Sequence, residues 1–408
     1  MKKVVALVLA GGRTGQYGVL TRNRAKGALT FASHYRIIDF TLSNLKNSGI
    51  EQVGLVIQYL PASLIEHVGV GLPWDLYGYG RCLKIMPPFV GVETTEWYKG
   101  TADALWQNWN FVEDCDPEHI VVLSGEHVYH LDFRPVLEFH RDMRADVTMI
   151  TCDLPPEKRR PRFGYVFVGD NARIERFIEK PEVPPDTCTS TGMYIFKRDV
   201  LAELLRSNAS AEHHNLAKHI LEPLVHTLNS YAYCMPGPWE YMENVIDYFD
   251  AQMALLEDDH FAALQRWGIL TNLEFRDVGV APPARIEAGA RVENSFLGAK
   301  CLIEGTVENS ILSPGVCVAK GAVVRNSIIM HDCVIEQDAQ LEFVVSDRDT
   351  IFGRGCRVGG SEQNAAAAVG LGPLTLIGKR ARIGERVTIS QGQEVDHRQI
   401  IEQPLALA

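Results

Sequence analysis

A six-residue unit recurs three times in the last third of the chain: Val292–Leu297 reads VENSFL, Val307–Leu312 reads VENSIL and Val324–Ile329 reads VRNSII, at intervals of 15 and 17 residues. Repetition at so short a period marks a solenoid, because each unit buries its apolar side only by stacking on the next. Around these units aliphatic residues recur every six positions: Ile286 and Val292, Leu297 and Ile303, Leu312 and Val318, Ile329 and Ile335, then Ile377, Ile383 and Ile389. One inward residue in six, with Gly289, Gly305, Gly315 and Gly321 at the corners, predicts a hexapeptide parallel β-helix. An antiparallel β-sandwich would need a two-residue alternation that these segments do not hold. The stretch from Gly359 to Gly372, GGSEQNAAAAVGLG, reads as a flexible loop interrupting the coils.

The first 250 residues follow a different grammar, alternating strand-like and helix-like segments. Val4 to Leu9 is an unbroken aliphatic run of the kind buried in parallel sheets. Gly11, Gly12, Gly15 and Gly18 follow it, placed to turn backbone N–H groups onto an anion, and Arg24 and Lys26 supply positive charge. Thr41 to Ser48 has helical spacing and stops at Gly49; Val53 to Ile57, Ile120 to Leu123 and Val147 to Thr151 read as further strands, and Pro61 opens a helix. Such alternation predicts a Rossmann-like, mostly parallel sheet covered by helices, with ligands at the carboxyl ends of the strands. Val245 to Arg266 reads as a helical connection, with Ile246, Phe249, Met253, Leu256 and Ala263 on one side. The expected organisation is therefore residues 1–250, a linker at 251–276, and a β-helix over 277–408.

Charge and cysteine usage narrow the function. The 51 acidic residues outnumber 40 basic ones, for a formal charge of −11, which disfavours nucleic acid or an anionic membrane as partner. Nine cysteines stand singly from Cys82 to Cys356 without a CxxC pair, as expected of reduced thiols in the cytoplasm. Met1 to Ala10 imitates a leader, but its apolar run is short and passes directly into the glycine loop, so a buried first strand is expected.

Ordered motifs along nearly the whole chain resemble the sugar-1-phosphate nucleotidyltransferases, and most of all the glucose-1-phosphate adenylyltransferase family. They are LAGGR at Leu9, RAK at Arg24, YRIIDFTLSN at Tyr35, NSGI at Asn47, WYKGTADALWQN at Trp97, SGEHVYHLDF at Ser124, FGYV at Phe163, FIEKPEVPP at Phe177 and STGMYIF at Ser190. The resemblance implies an α/β nucleotidyltransferase domain followed by a left-handed parallel β-helix. It implies formation of ADP-glucose and pyrophosphate from ATP and glucose 1-phosphate with Mg²⁺, in α-glucan synthesis, by a cytoplasmic tetramer. It further implies that Gly11 and Gly12 approach the nucleotide, Arg13 and Lys26 neutralise its phosphates, and Gln58, Gly100, Thr101 and Ala102 line the base and ribose. Glu126 would bind the metal. Glu179 and Lys180 would hold the sugar and its phosphate, with Ser190, Tyr194 and Trp239 completing the pocket.

Several positions depart from the family pattern. Gln16 stands where GGxGTRL has arginine, Gly27 where a proline follows the RAK lysine, and Asn23 at the position of an activator lysine. The GDH aspartate is Glu126, one methylene longer, and Mg²⁺ demands near-octahedral geometry. The WRDVG carboxylate is Tyr241, neutral near pH 7, and in the HDFGKD segment Asn215 and His219 replace both carboxylates. Two readings compete: an adenylyltransferase with altered catalytic residues, or a catalytically impaired regulatory subunit that binds nucleotide or effector and assembles with a catalytic paralogue. A third takes the β-helix as an acyltransferase site with His331, the one histidine between Arg276 and Arg386, as base.

Overall fold

The computed structural model describes residues 3–12, 16–89, 97–360, 372 and 374–404, with backbone alone for 275–277. The chain divides into two compact units, Met1–Gly12 with Ile38–Glu240, and Arg13–Ile37 with Tyr241–Ala408. The segment Arg13–Ile37 thus belongs with the carboxyl-terminal part, although it follows the first strand directly in sequence. The interrupting loop expected at Gly359 to Gly372 lies almost wholly outside the described residues.

In the first unit the strands are β1 (Val4–Leu9), β2 (Gln52–Val56), β3 (Tyr77–Gly78), β4 (Arg81–Met86), β5 (His119–Ser124), β6 (Val128–Tyr129), β7 (Val147–Cys152), β8 (Gly164–Val168), β9 (Ile174–Glu179), β10 (Cys188–Lys197), β11 (Ser230–Cys234) and β12 (Trp239–Glu240). The main sheet runs β9-β8-β10-β5-β1-β2-β4-β3, with β7 on β10 and β11 on β7. Aliphatic β1 sits between β5 and β2, parallel to both, so both its edges and both its faces are covered, which is why its sequence shows no alternation. The parallel part is the half that carries the glycine loop. On the other side β8 runs antiparallel to both of its neighbours, β9 and β10, and the short Gly169–Arg173 connection makes the β8–β9 pair a hairpin.

The helices are α1 (Ile37–Asn47), α2 (Ala62–Val68), α3 (Thr101–Gln107), α4 (Trp109–Cys115), α5 (Phe133–Asp142) and α6 (Arg198–Asn208). Gly49, at φ +73°, ends α1 as expected, although that helix begins four residues before Thr41. Val5, Leu7, Val122, Phe196, Leu105 and Leu205 contribute to one core cluster between sheet and helices.

The second unit contains α7 (Val245–Met253) and α8 (Asp258–Arg266). The single connecting helix expected here is two helices, parted at Glu257, and the buried residues of α7 are Val245, Tyr248, Phe249 and Gln252 rather than Ile246 and Met253. The reason is Gln16–Ile37, which packs on α7 and the residues before it: the Tyr248 hydroxyl donates to the Thr30 carbonyl, the Ala32 N–H to Gln252 Oε1 at 3.0 Å, and the Tyr17 hydroxyl to the Met242 carbonyl at 2.6 Å. The same segment joins the coils through Ser33, whose hydroxyl donates to the Leu312 carbonyl at 3.0 Å, and through an ion pair of buried Arg24 with fully buried Asp347.

The coils form, among the described residues, three parallel sheets of seven, six and six short strands, as a left-handed parallel β-helix requires. The six-residue register is as read: Ile303, Val318, Ile335, Phe352 and Ile383 stack on one side, Val307, Val324, Leu341 and Val358 on the second, and Leu312, Ile329, Ser346 and Ile377 on the third, where the serine alone is polar. Ile286, in the first coil, is 53% exposed because it has a neighbour on one side only. Beyond glycine, the repeated Asn294, Asn309 and Asn326 turn corners at positive φ, a region asparagine tolerates. The serines next to them form a ladder: the N–H of Ser310 donates to Ser295 Oγ, that of Ser327 to Ser310 Oγ and that of Val344 to Ser327 Oγ, each at 3.1 Å. The recurring N-S pair is thus a corner followed by an inter-coil link.

Candidate active site

The glycine loop leaves β1 at its carboxyl end. A Cβ on Gly11 would lie 2.7 Å from the Gln58 backbone nitrogen, and one on Gly12 would lie 3.1 Å from Glu126 Oε1. The loop backbone therefore runs against the residues that follow β2 and β5, and Gly11 has no room for a side chain. Arg13 lies outside the described residues. Gln58 Nε2 reaches the Tyr98 carbonyl at 3.5 Å, which links this loop to the segment before α3.

Gly100, Thr101 and Ala102 are tied to the segment after α6. The Ala102 N–H donates to the His214 carbonyl at 2.8 Å, and the Leu216 N–H donates to Thr101 Oγ1 at 2.8 Å. A Cβ on Gly100 would stand 2.4 Å from the same His214 carbonyl oxygen. Past this junction the chain forms a π-helix, Leu216–Leu221, capped by Asn215, whose Oδ1 accepts the Lys218 N–H at 2.8 Å. Asn215 thus serves as a helix cap.

Of the residues expected on the sugar side, Glu179 and Ser190 meet across three strands. Gly164 of β8 stands opposite Glu179 of β9 on one side and Ser190 of β10 on the other. A Cβ on Gly164 would lie 2.7 Å from Glu179 Oε2, so the missing side chain leaves a cradle beside the carboxylate. Burial pushes the Glu179 carboxyl up to about 7; Glu222 adds to the shift, while Lys180 and Lys218 oppose it. Ser190 is hydrogen-bonded to Tyr194, whose phenol burial pushes well above its ordinary range. After Ser190 the pairing of β10 with β7 slips, with Gly192 at φ +70°, a bulge of the kind that re-aims side chains at functional sites.

Trp239 begins β12, which pairs with β6. Its indole Nε1 donates to His127 Nδ1 at 3.2 Å and its ring meets Phe163 edge-on at 5.3 Å, so it stands between the Glu126–His127 pair and the Gly164 cradle. With Nδ1 accepting, neutral His127 carries its proton on Nε2. Gly11, Gly12, Gln58, Gly100, Thr101, Ala102, Glu126, Glu179, Lys180, Ser190, Tyr194, Trp239 and Asn215 all belong to this first unit.

Lys26, Gln16, Asn23 and Tyr241 belong to the second unit. There the Lys26 side chain is fully buried, its ammonium 4.6 Å from the centre of the Tyr241 ring and 5.6 Å from that of Tyr17. Tyr241 therefore faces the lysine with a π-surface rather than a carboxylate. His331 is 2% exposed in the β-helix wall, which removes the access an acyltransferase base needs.

Residues 5–258 match the family model described as nucleotidyl transferase, and residues 282–370 match a GlmU-like C-terminal hexapeptide. Proteins named glucose-1-phosphate adenylyltransferase are similar over nearly the full chain. That of Desulfitobacterium hafniense (strain Y51) is 35% identical over 97% of this chain and 98% of its own, and that of Clostridium perfringens (strain 13 / Type A) 36% over 88% and 91%. A third, from Acetivibrio thermocellus, is 34% identical over 97% and 93%. The chain belongs to the glucose-1-phosphate adenylyltransferase family.

In this member of the family the glycine loop follows β1, the Gly100 segment opens α3, and Gly164 begins β8. Glu222 carries no motif in the sequence, although its place four residues after Lys218 is an ion-pair spacing. Gly164 is visible there only as part of FGYV, and its use needs the two neighbouring strands.

Among the described residues no three His, Cys, Asp or Glu side chains converge as a metal site. Glu126, close against Gly12, offers one carboxylate toward the loop, which fits an ion held mainly by water and substrate phosphates, as Mg²⁺ is.

Proposed function

We propose that this chain joins ATP and glucose 1-phosphate to give ADP-glucose and pyrophosphate in α-glucan synthesis, with altered catalytic residues. The observation that carries the reading is the Glu179–Gly164–Ser190 row, continuous through Trp239 with Glu126 beside the glycine loop. A phosphate oxygen of the sugar attacks the α-phosphorus as the bond to pyrophosphate breaks, and positioning with charge neutralisation does most of the work. Gly11 and Gly12 admit the nucleotide against the backbone, with Gln58, Gly100, Thr101 and Ala102 on its base and ribose side. Arg13 and Lys26 neutralise its phosphates. With a carboxyl near 7, Glu179 is divided between protonated and ionised forms at neutral pH and can donate to or accept from a sugar hydroxyl. Lys180, 57% exposed, is the cation for the sugar phosphate. Glu126 would hold Mg²⁺, which supplies positive charge to phosphoryl oxygens.

A second reading is favoured by Tyr241, whose ring packs on the Lys26 ammonium where the family has a metal carboxylate. On it the chain binds nucleotide or effector and leaves turnover to a catalytic paralogue in a mixed tetramer; on the first it forms a homotetramer. All nine cysteines are free thiols, in keeping with a cytoplasmic protein, and no helix among the described residues is long and apolar enough to cross a membrane. The experiment is pyrophosphate release by the purified chain with ATP, glucose 1-phosphate and Mg²⁺, repeated with Tyr241→Asp and Gln16→Arg together. Turnover by the unaltered chain supports the first reading. Turnover only in the double variant supports the second, and release in neither, with no binding of either substrate, refutes both.

A further inference from the structure

The sugar-side turn is held from outside the pocket by two side chains, Lys218 and Glu222. β9 is the edge of the sheet, and among the described residues only β8 pairs with it. The Lys180 N–H donates to the Phe163 carbonyl, so the N–H and C=O of Glu179, one residue earlier, point away from β8, where no strand meets them. Glu222, just past the π-helix, fills that place. Its Oε2 accepts the Glu179 N–H at 3.1 Å, Lys218 Nζ holds the same carboxylate at 2.8 Å and 3.0 Å, and that ammonium reaches the Glu179 carbonyl at 3.4 Å.

The backbone just past Glu179 needs such a hold. Lys180 sits at φ +56°, a conformation that costs a residue with a Cβ, and Pro181 fixes the chain after it. A strained turn persists only where its surroundings over-determine it. Lys218 and Glu222 are 47% and 26% exposed on the wall of a cleft of about 680 Å³, so their mutual attraction is worth little. Their effect lies in offering a charged acceptor to a backbone N–H and a donor to a carbonyl at the one residue that needs both.

We propose that Glu222 and Lys218 are positioning residues that brace the Glu179–Lys180 turn for the sugar phosphate without touching the sugar. The π-helix anchors the brace, and its first residue is fixed to Thr101 on the nucleotide side. The inference rests on the sugar-site reading given under Proposed function.

The test compares wild type with Glu222→Ala and Glu222→Gln, the amide keeping an acceptor for the Glu179 N–H. Calorimetric titration with glucose 1-phosphate and, separately, with ATP gives the two dissociation constants, and amide exchange of the free protein reports on Glu179 and Lys180. The alanine variant is expected to weaken glucose 1-phosphate binding about tenfold, leave ATP binding within about twofold, and speed exchange at Glu179, with glutamine restoring most of both effects. Losing the Glu222 charge also lowers the Glu179 carboxyl, so the pH midpoint of sugar-phosphate binding moves down in both variants, which loss of packing alone would not do. Equal weakening for both ligands, or unchanged exchange at Glu179, overturns the brace. If wild type does not bind glucose 1-phosphate, the sugar-site reading fails, while exchange in the free protein still decides whether the brace exists. Should the alanine variant not fold, glutamine and Lys218→Met carry the same comparison.

Discussion

Glu179→Gln tests the electrostatic account of the sugar site without any ligand. The wild-type carboxyl lies near 7 in the folded protein and near 4.5 when unfolded, so the native state binds its proton more tightly. Stability from this group is therefore complete below the unfolded value and lost as pH rises through the folded one. The full loss is about 2.5 pH units of affinity, or about 3 kcal/mol, and most of it falls between about pH 5 and pH 8. Glutamine mimics the protonated acid and has no such dependence. Urea unfolding of both proteins across this range should show the variant gaining about 2 to 3 kcal/mol on wild type from the acid to the alkaline end. Parallel pH profiles would refute the reasoning, since they would mean that the carboxylate is solvated after all and that its burial over Gly164 costs nothing.

Other expected outcomes concern charge and packing in the second unit. Arg24→Ala leaves fully buried Asp347 without its guanidinium and should cost about 3 kcal/mol in denaturant unfolding, with Asp347→Asn recovering part of the loss. Ile335→Ala, in the middle of a stack, should cost about 3 kcal/mol, whereas Ile286→Ala in the exposed first coil should change stability by about 0.5 kcal/mol or less; equal effects would contradict the stacking order. Lys26→Ala should weaken ATP binding at least about tenfold by calorimetry, and unchanged affinity would remove that lysine from the phosphate site.

The β-helix was legible almost residue by residue. A side chain one coil on, 15 or 17 residues later, meets the same interior, so Ile303, Val318 and Ile335 are all apolar and buried. The asparagine corners and serine ladder were written in VENS, but reading them as links needs the neighbouring coil that supplies the partner. For the candidate site, linear motifs were enough to name Gly11, Gly100, Glu179 and Ser190. Their spacing could not reveal that Glu179 and Ser190 flank Gly164, because the pairings of β8 with β9 and with β10 decide which residues stand opposite one another.

Sequence by itself determined the two grammars, the parallel run around β1, the coil register and the family. These depend on short-range periodicity and on ordered motifs, which survive in one dimension. Tertiary structure alone decided that Gln16–Ile37 packs with α7 and the coils, that a tyrosine ring faces Lys26, and that Glu222 holds the Glu179 turn. Each of these joins residues far apart in the chain, and the energy of a buried charge or an unpaired N–H is set by what surrounds it in space.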